Sequence, residues 1–248
     1  MEISALTRTV VRRNHAIIAP DGYVSSNVPG WTNCTVNVII NEAMGANMCQ
    51  TLITAGKDAS LVGVARESQV FFYVISGKLK AVVSGKIKQL GAGQFVYIPI
   101  DKAYRFEKIK EGTQVLSFHK IYEKLESYDA PNILFGNAAD MPAPHYLGDK
   151  ALRLQTLLPD HPSFDMAVNI FTYEPGGHLP FVETHIMEHG LMYLRGQGIY
   201  MLDQEWYPVK KGDSIWMAPY CQQWFTAMGK EPAVYIYYKN VNRFPTKM

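Results

Sequence analysis

The sequence predicts an all-β protein built as two tandem β-barrels of the jelly-roll kind. Three observations predict it: an internal repeat, strands with an apolar–polar period of two, and glycines and prolines that punctuate both copies at matching places. Tyr73-Val-Ile-Ser-Gly77 recurs as Met192-Tyr-Leu-Arg-Gly196, and a second glycine follows 16 residues later in each copy, at Gly93 and Gly212. Gly93-Gln-Phe-Val-Tyr-Ile-Pro99 then matches Gly212-Asp-Ser-Ile-Trp-Met-Ala-Pro219, the second copy carrying one extra residue before its proline. Val115-Leu-Ser-Phe-His-Lys120 matches Val234-Tyr-Ile-Tyr-Tyr-Lys239. One offset of 119 residues relates these segments, so the chain reads as two copies of one unit.

Each element follows from local pattern. Gly77-Lys-Leu-Lys-Ala-Val-Val-Ser-Gly85 puts Leu79, Ala81 and Val83 on one face and Lys78 and Lys80 on the other, the alternation of a half-buried strand. The Gly-x-Phe-x-Tyr-x-Pro run repeats that alternation, and no segment inside either copy holds a long helical period. Short strands at regular spacing with turns between them suit barrels or jelly rolls. The Pro- and Asn-containing stretch 123–144 reads as a connection, which divides the chain into an N-terminal barrel over 1–122 and a C-terminal barrel over 145–248.

Composition excludes several classes of function. Of 248 residues 48% are apolar and 19% charged, enough for a substantial core and against wholesale disorder. Lys and Arg total 24 against 22 Asp and Glu, a formal +2, which gives no field for nucleic acid or an anionic membrane. Cys34, Cys49 and Cys221 form no CxxC pair and cannot all bridge within one chain, which argues for apolar packing in a reducing compartment. The N-terminal segment has no apolar core of a signal peptide, and stretches such as Val70–Ile75 are far short of a membrane span, so the expected place is the cytoplasm.

One copy alone carries metal-competent residues: Gly177-x5-Glu183-Thr-His185-x3-His189-x6-Gly196. Glu183 and His185 point the same way if the segment is a strand. His189 would lie about 13 Å further along at ~3.3 Å per residue, so it shares a site with them only if Met187-Glu188 bends the chain. Two imidazoles and a carboxylate suit Mn, Fe, Ni or Zn, and the lack of thiolate disfavours copper(I). Shifted back by the repeat offset, these positions are Val64, Arg66 and Val70, none of them a cation ligand. The chemistry is therefore expected in the second barrel.

The spacing resembles the two-part motif of the cupin superfamily, with Glu183 standing where that motif has its first histidine and His189 where it has its glutamate. The second part, Gly212-Asp-Ser-Ile-Trp-Met-Ala-Pro219-Tyr-Cys-Gln-Gln-Trp224, has no histidine, so a glutamine must supply any fourth ligand. This altered set is similar to the two-barrel (bicupin) (S)-ureidoglycine aminohydrolases of the allantoin pathway. The likeness is dense from Phe181 to Arg243, through Gly196-Gln-Gly-Ile-Tyr200, Trp206-Tyr-Pro-Val-Lys-Lys-Gly-Asp213 and Tyr238-Lys-Asn-Val-Asn-Arg243.

The resemblance implies a manganese ion, or another divalent ion, held by Glu183, His185, His189 and Gln223. Gln223 is preferred to Gln222 because it directly precedes Trp224. It also implies that Glu183, Tyr200, Tyr235 and Lys239 contact a small ureido amino-acid substrate, with Lys239 and Glu183 catalytic, and that the protein is a homo-oligomer that releases ammonia from (S)-ureidoglycine. Lys239 carries a rival reading as inherited scaffold, since Lys120 holds the repeat-equivalent position; the two tyrosines carry one as ordinary packing. Glu188 and His178 read as loop residues. At the level of function the rivals are another metal-dependent bicupin enzyme, such as an Fe(II) dioxygenase, and a non-catalytic bicupin that binds a small carboxylate.

Overall fold

The computed structural model describes residues 6–245; Met1–Ala5, part of the segment read as lacking a signal peptide, lies outside them. The regular structure of the described chain is β-strand apart from four short 3-10 turns. No helix among the described residues is long and apolar enough to cross a membrane.

The chain forms two compact units, each a curled jelly-roll barrel. In the unit formed mainly by the N-terminal half, the sheet runs through Leu134–Asn137, Gln94–Ile98, Ser68–Ser76, Gln114–Ile121, Cys49–Ala65, Lys102–Glu107, Lys78–Val83 and Lys86–Gly91, with Trp31–Ile40 on the far side of Cys49–Ala65. In the other unit, His15–Ile18, Ser214–Met217, His189–Arg195, Ala233–Asn240, Met166–Tyr173 and Leu152–Thr156 follow one another in the same order, and Glu205–Lys210, Gln197–Leu202 and Gln223–Met228 form the second layer. Strand for strand the two orders match, so the repeat is a repeat of topology.

The units are not continuous in sequence. One comprises the chain through Tyr23 with Pro142–Pro159 and Met166–Met248; the other comprises Val24–Met141 with Asp160–Asp165. This departs from the expected division at 1–122 and 145–248, and strand pairing gives the reason. Each barrel needs a strand beside its Gly-x-Phe-x-Tyr-x-Pro strand. The N-terminal barrel takes Leu134–Asn137 from the expected connection, whereas the C-terminal barrel takes His15–Ile18 from the start of the chain. Pairing satisfies backbone groups that an open edge would leave exposed. Arg8 secures the same arm: its guanidinium donates to both oxygens of the fully buried Asp213 at 2.6 and 2.7 Å.

Alternation is as expected, with Leu79, Ala81 and Val83 at 0–1% exposure and their lysine neighbours outside. Both barrels are filled by aromatic side chains, Phe72, Tyr104 and Phe106 in the first and Tyr173, Tyr193, Tyr200 and Phe225 in the second. Each ring this deeply buried contributes about 1.5–3 kcal/mol.

The ladders also correct the repeat offset. It is 119 for the strands containing Val70 and His189, since Val70 pairs with Ile98 and His189 with Met217. In the last strand it becomes 120: His119 pairs with Val70, and Lys239 pairs with His189. The turn before that strand is one residue longer in the second copy, which shifts every side chain by one place and therefore to the opposite face. His119, not Lys120, occupies the position of Lys239. Lys120 lies on the outer face, where its ammonium bonds the buried Asp165 at 2.7 Å. The reading of Lys239 as scaffold inherited from Lys120 therefore loses its basis.

Candidate active site

A cavity of about 410 Å³ opens in the C-terminal barrel, lined among others by Tyr146, Phe171, Glu183, His185, His189, Tyr200, Gln223, Tyr235, Tyr237 and Lys239. All seven residues expected at the site are therefore gathered at one cavity. Their positions follow from three local features. Residues 180–188 are not a continuous strand; Glu183 makes one isolated bridge to Gln223, with backbone bonds of 2.8 and 2.9 Å, after which the chain bends and regular pairing resumes at His189. That bend brings the rings of His185 and His189 to 4.8 Å between centroids. The strand Ala233–Asn240 then turns Tyr235, Tyr237 and Lys239 to the same interior by its period of two.

The hydrogen bonds of the two histidines show which ring nitrogens are open. His185 Nδ1 lies 3.0 Å from the Met187 carbonyl, and its Nε2 lies 2.8 Å from the Gln223 side-chain amide. With Nδ1–H given to the carbonyl, Nε2 carries the lone pair; a histidine ligand is oriented in this way by its second nitrogen. His189 is buried, and its Nε2 has no hydrogen-bond partner among the described residues. Burial, and then the nearby His185 and Lys239, hold its pKa well below the usual histidine range, so the ring is neutral. A neutral, orphaned imidazole nitrogen at a cavity also lined by a carboxylate and an amide fits a divalent cation chemically. Three of the four have protein partners: Gln223 lies against His185, and Glu183 Oε1 accepts the Tyr146 hydroxyl at 3.1 Å. Among the described residues, no three His, Cys, Asp or Glu side chains form a closed metal cluster.

Gln223 is 2% exposed and lines the cavity, while Gln222 faces solvent, as the strand alternation around Trp224 requires. Lys239 lines the same cavity with no ion-pair partner among the described residues. Tyr200 and Tyr235 are 1% and 4% exposed and form its deep end, where the Tyr235 hydroxyl meets that of Tyr173 at 2.9 Å. Burial raises the pKa of all three phenols, so each is a neutral hydroxyl. Packing and cavity lining are thus both true of Tyr200 and Tyr235. His178 stacks near Trp224 outside the cavity, and Glu188 lies in the loop just before His189, as expected, with its side chain fully buried.

Two further residues were not singled out from sequence: Tyr146 and Tyr237. Tyr146 stands just beyond the connection, with its ring edge-on to Phe171 at 5.0 Å and its pKa pushed up to about 12 by burial and by Glu183. No motif marks it. Tyr237 was legible as the residue between Tyr235 and Lys239 on one strand face.

The first barrel shows why it has no such site. By ladder register the places of Glu183, His185, His189 and Gln223 are held by Gly63, Ala65, Val70 and Tyr104. This corrects the expected Val64 and Arg66, again by one residue. A side chain at Gly63 would collide with the Tyr104 ring, which fills the space.

Comparison with known proteins agrees with this geometry. Residues 169–238 match the family model described as a cupin domain. The chain is 36% identical over 241 residues to a protein of Escherichia coli named (S)-ureidoglycine aminohydrolase, covering 95% of this chain and 92% of that one. It is 32% identical to the protein of that name from Arabidopsis thaliana, covering 98% of this chain and 81% of the other. The crystal structure of the E. coli protein YlbA superposes with a TM-score of 0.88 at 32% identity, over 97% of both chains.

Proposed function

The chain belongs to the (S)-ureidoglycine aminohydrolase family of the cupins, and from that premise we propose that it releases ammonia hydrolytically from (S)-ureidoglycine, giving (S)-ureidoglycolate in purine catabolism. The observation that carries the reading is an ammonium and an imidazole nitrogen, Lys239 and His189, that line one cavity without a partner among the described residues. Glu183, His185, His189 and Gln223 would hold a divalent cation, Mn2+ or another ion of mixed N/O preference. Such an ion supplies Lewis acidity toward a substrate that bears an amine and a carboxylate.

The chain's own groups account for the other requirements. Lys239 is the fixed positive charge for the substrate carboxylate. Tyr200 and Tyr235 present neutral hydroxyls in a confined space that limits water and fixes orientation. The reacting carbon also bears the ureido nitrogen, whose lone pair expels the protonated amine as NH3. Water adds to the resulting acyliminium cation and gives up one proton, which the released ammonia finally takes, so substrate plus water becomes ureidoglycolate plus ammonium. Glu183, whose Oε1 accepts the Tyr146 hydroxyl, would take that proton on Oε2. Attack from one face of a walled cavity gives one stereoisomer. Free cysteines support a reducing compartment, the cytoplasm, and the ten-residue edge strand Trp31–Ile40 supports a homo-oligomer.

The test couples metal analysis to an ammonia assay on freshly generated ureidoglycine. Chelated protein should be inactive and regain turnover with Mn2+, and Glu183→Ala or His185→Ala should lose both bound metal and ammonia release. Full turnover by a metal-free Glu183→Ala protein would overturn the assignment.

A further inference from the structure

Asn240 follows Lys239 in the motif Tyr238-Lys-Asn-Val-Asn-Arg243 and ends the strand Ala233–Asn240, half-buried. Its side-chain Oδ1 accepts the backbone N–H of Glu188 at 2.8 Å. A backbone N–H can only donate, so the amide is fixed with its oxygen toward Glu188. The carbonyl of the same peptide unit, that of Met187, accepts Nδ1–H of His185 at 3.0 Å. One peptide plane thus connects Asn240 to His185: the asparagine holds its N–H end and the imidazole its C=O end. Hydrogen bonds in series through one peptide polarise each other, so the acceptor at Asn240 strengthens the carbonyl that His185 uses.

The first barrel shows what this side chain replaces. There the corresponding residues are Gln69 and Lys120, which pair in register, and the ladder continues to Ser68 and Ile121. In the second barrel regular pairing stops at His189 with Lys239. The next backbone N–H, that of Glu188, goes to the Asn240 side chain instead of to a strand. Glu188 is fully buried, so its N–H without an acceptor would carry the desolvation cost of an unpaired group. Asn240 meets that requirement and releases residues 186–188 from the ladder, which leaves the Met187 carbonyl to turn to His185.

We propose that Asn240 is the positioning residue of His185: through the Met187–Glu188 peptide it fixes the ring in the tautomer that carries its proton on Nδ1 and leaves the lone pair on Nε2. The competing tautomer is within reach. Turning the Gln223 amide over would offer its oxygen to an Nε2–H at the same 2.8 Å, which closes that nitrogen to a cation. The peptide bridge decides between the two. Asn240 itself touches neither ion nor substrate. The inference rests on the reading of His185 as a ligand and deepens it by naming what sets that ligand's tautomer.

Nitrogen-15 NMR of the metal-free protein, with His185 assigned by its loss in His185→Gln, reads the tautomer directly. The unaltered protein should show Nδ1 protonated and Nε2 bare. Asn240→Ala, which removes the acceptor, should populate the Nε2–H tautomer. It should also weaken Mn2+ about tenfold in competitive titration against a chelating indicator, the low end for groups that orient a metal ligand. Asn240→Asp keeps an oxygen at the same reach and should hold the tautomer, with Mn2+ affinity within about threefold. Asn240→Leu, which keeps the volume, repeats the test if the alanine variant loosens the strand end. An Nε2–H ring in the unaltered protein overturns the inference, as does a tautomer or an Mn2+ affinity unchanged in both the alanine and leucine variants. A tautomer that shifts in a protein which, unaltered, binds no divalent ion leaves the peptide bridge standing and overturns the ligand reading instead.

Discussion

Among the described residues the hydroxyl of Tyr146 is the one side-chain group bonded to the Glu183 carboxylate, which makes Tyr146→Phe a sharp test of the site. The substitution keeps the ring on Phe171 and removes only the donor at 3.1 Å from Oε1. A hydrogen bond to a charged acceptor contributes about 1.5–3 kcal/mol, and partial exposure of both residues places this one near the lower end. At about 1.4 kcal/mol per decade, the worked loss is roughly tenfold in divalent-ion affinity, within the range for groups that orient a ligating carboxylate. Competitive titration of Mn2+ against a chelating indicator reads that affinity directly, and steady-state ammonia release reads its consequence. The expected pattern is a tenfold weaker ion with most turnover recovered at saturating Mn2+. Affinity within twofold of the unaltered protein would refute the argument that this bond positions Glu183.

Two further predictions concern stability. Arg8→Ala should lower C-terminal-barrel stability by about 2 kcal/mol, read as a fall in urea midpoint, because it strips both side-chain donors from a fully buried Asp213; Arg8 is 37% exposed, which holds the loss below the usual 3–5 kcal/mol for a buried pair. An unchanged midpoint would show that the arm does not brace this barrel. His119, packed against Phe72 and Trp31, has its pKa lowered from 6.5 to about 4 by burial. The unfolded chain therefore binds a proton that the folded one refuses, so this contribution to stability is complete above pH 6.5 and is lost as pH falls toward 4. The loss is at most about 3 kcal/mol by linkage. His119→Gln should flatten N-terminal-barrel stability across that window in paired denaturation curves, and an unchanged pH slope would rule His119 out as its source.

The barrel strands were legible because a half-buried strand writes its faces into alternate residues: Leu79, Ala81 and Val83 needed no tertiary information. The duplication was legible for the same reason, since two copies that fold alike keep glycines where the backbone needs them; Gly196 has φ of 74°, and a side chain there would strike the backbone of Ala233. The seven site residues were found through motif spacing, and the cavity gathers all of them. Tyr146 was not, because a hydroxyl reaching a carboxylate across 37 positions leaves no local pattern.

By itself the sequence determined what depends on neighbours along the chain: the β class, the doubled unit, and a carboxylate, two imidazoles and an amide confined to one copy. Tertiary structure decided what depends on register and on distant pairing. A turn one residue longer put Lys239 inside its barrel and Lys120 outside the other, although aligned sequence set them side by side. Strand edges recruited His15–Ile18 to the C-terminal barrel across some 200 residues of chain. Side-chain faces alternate every residue and edge pairing ignores sequence distance, so a single-residue shift or a remote strand changes the site in ways that linear spacing cannot express.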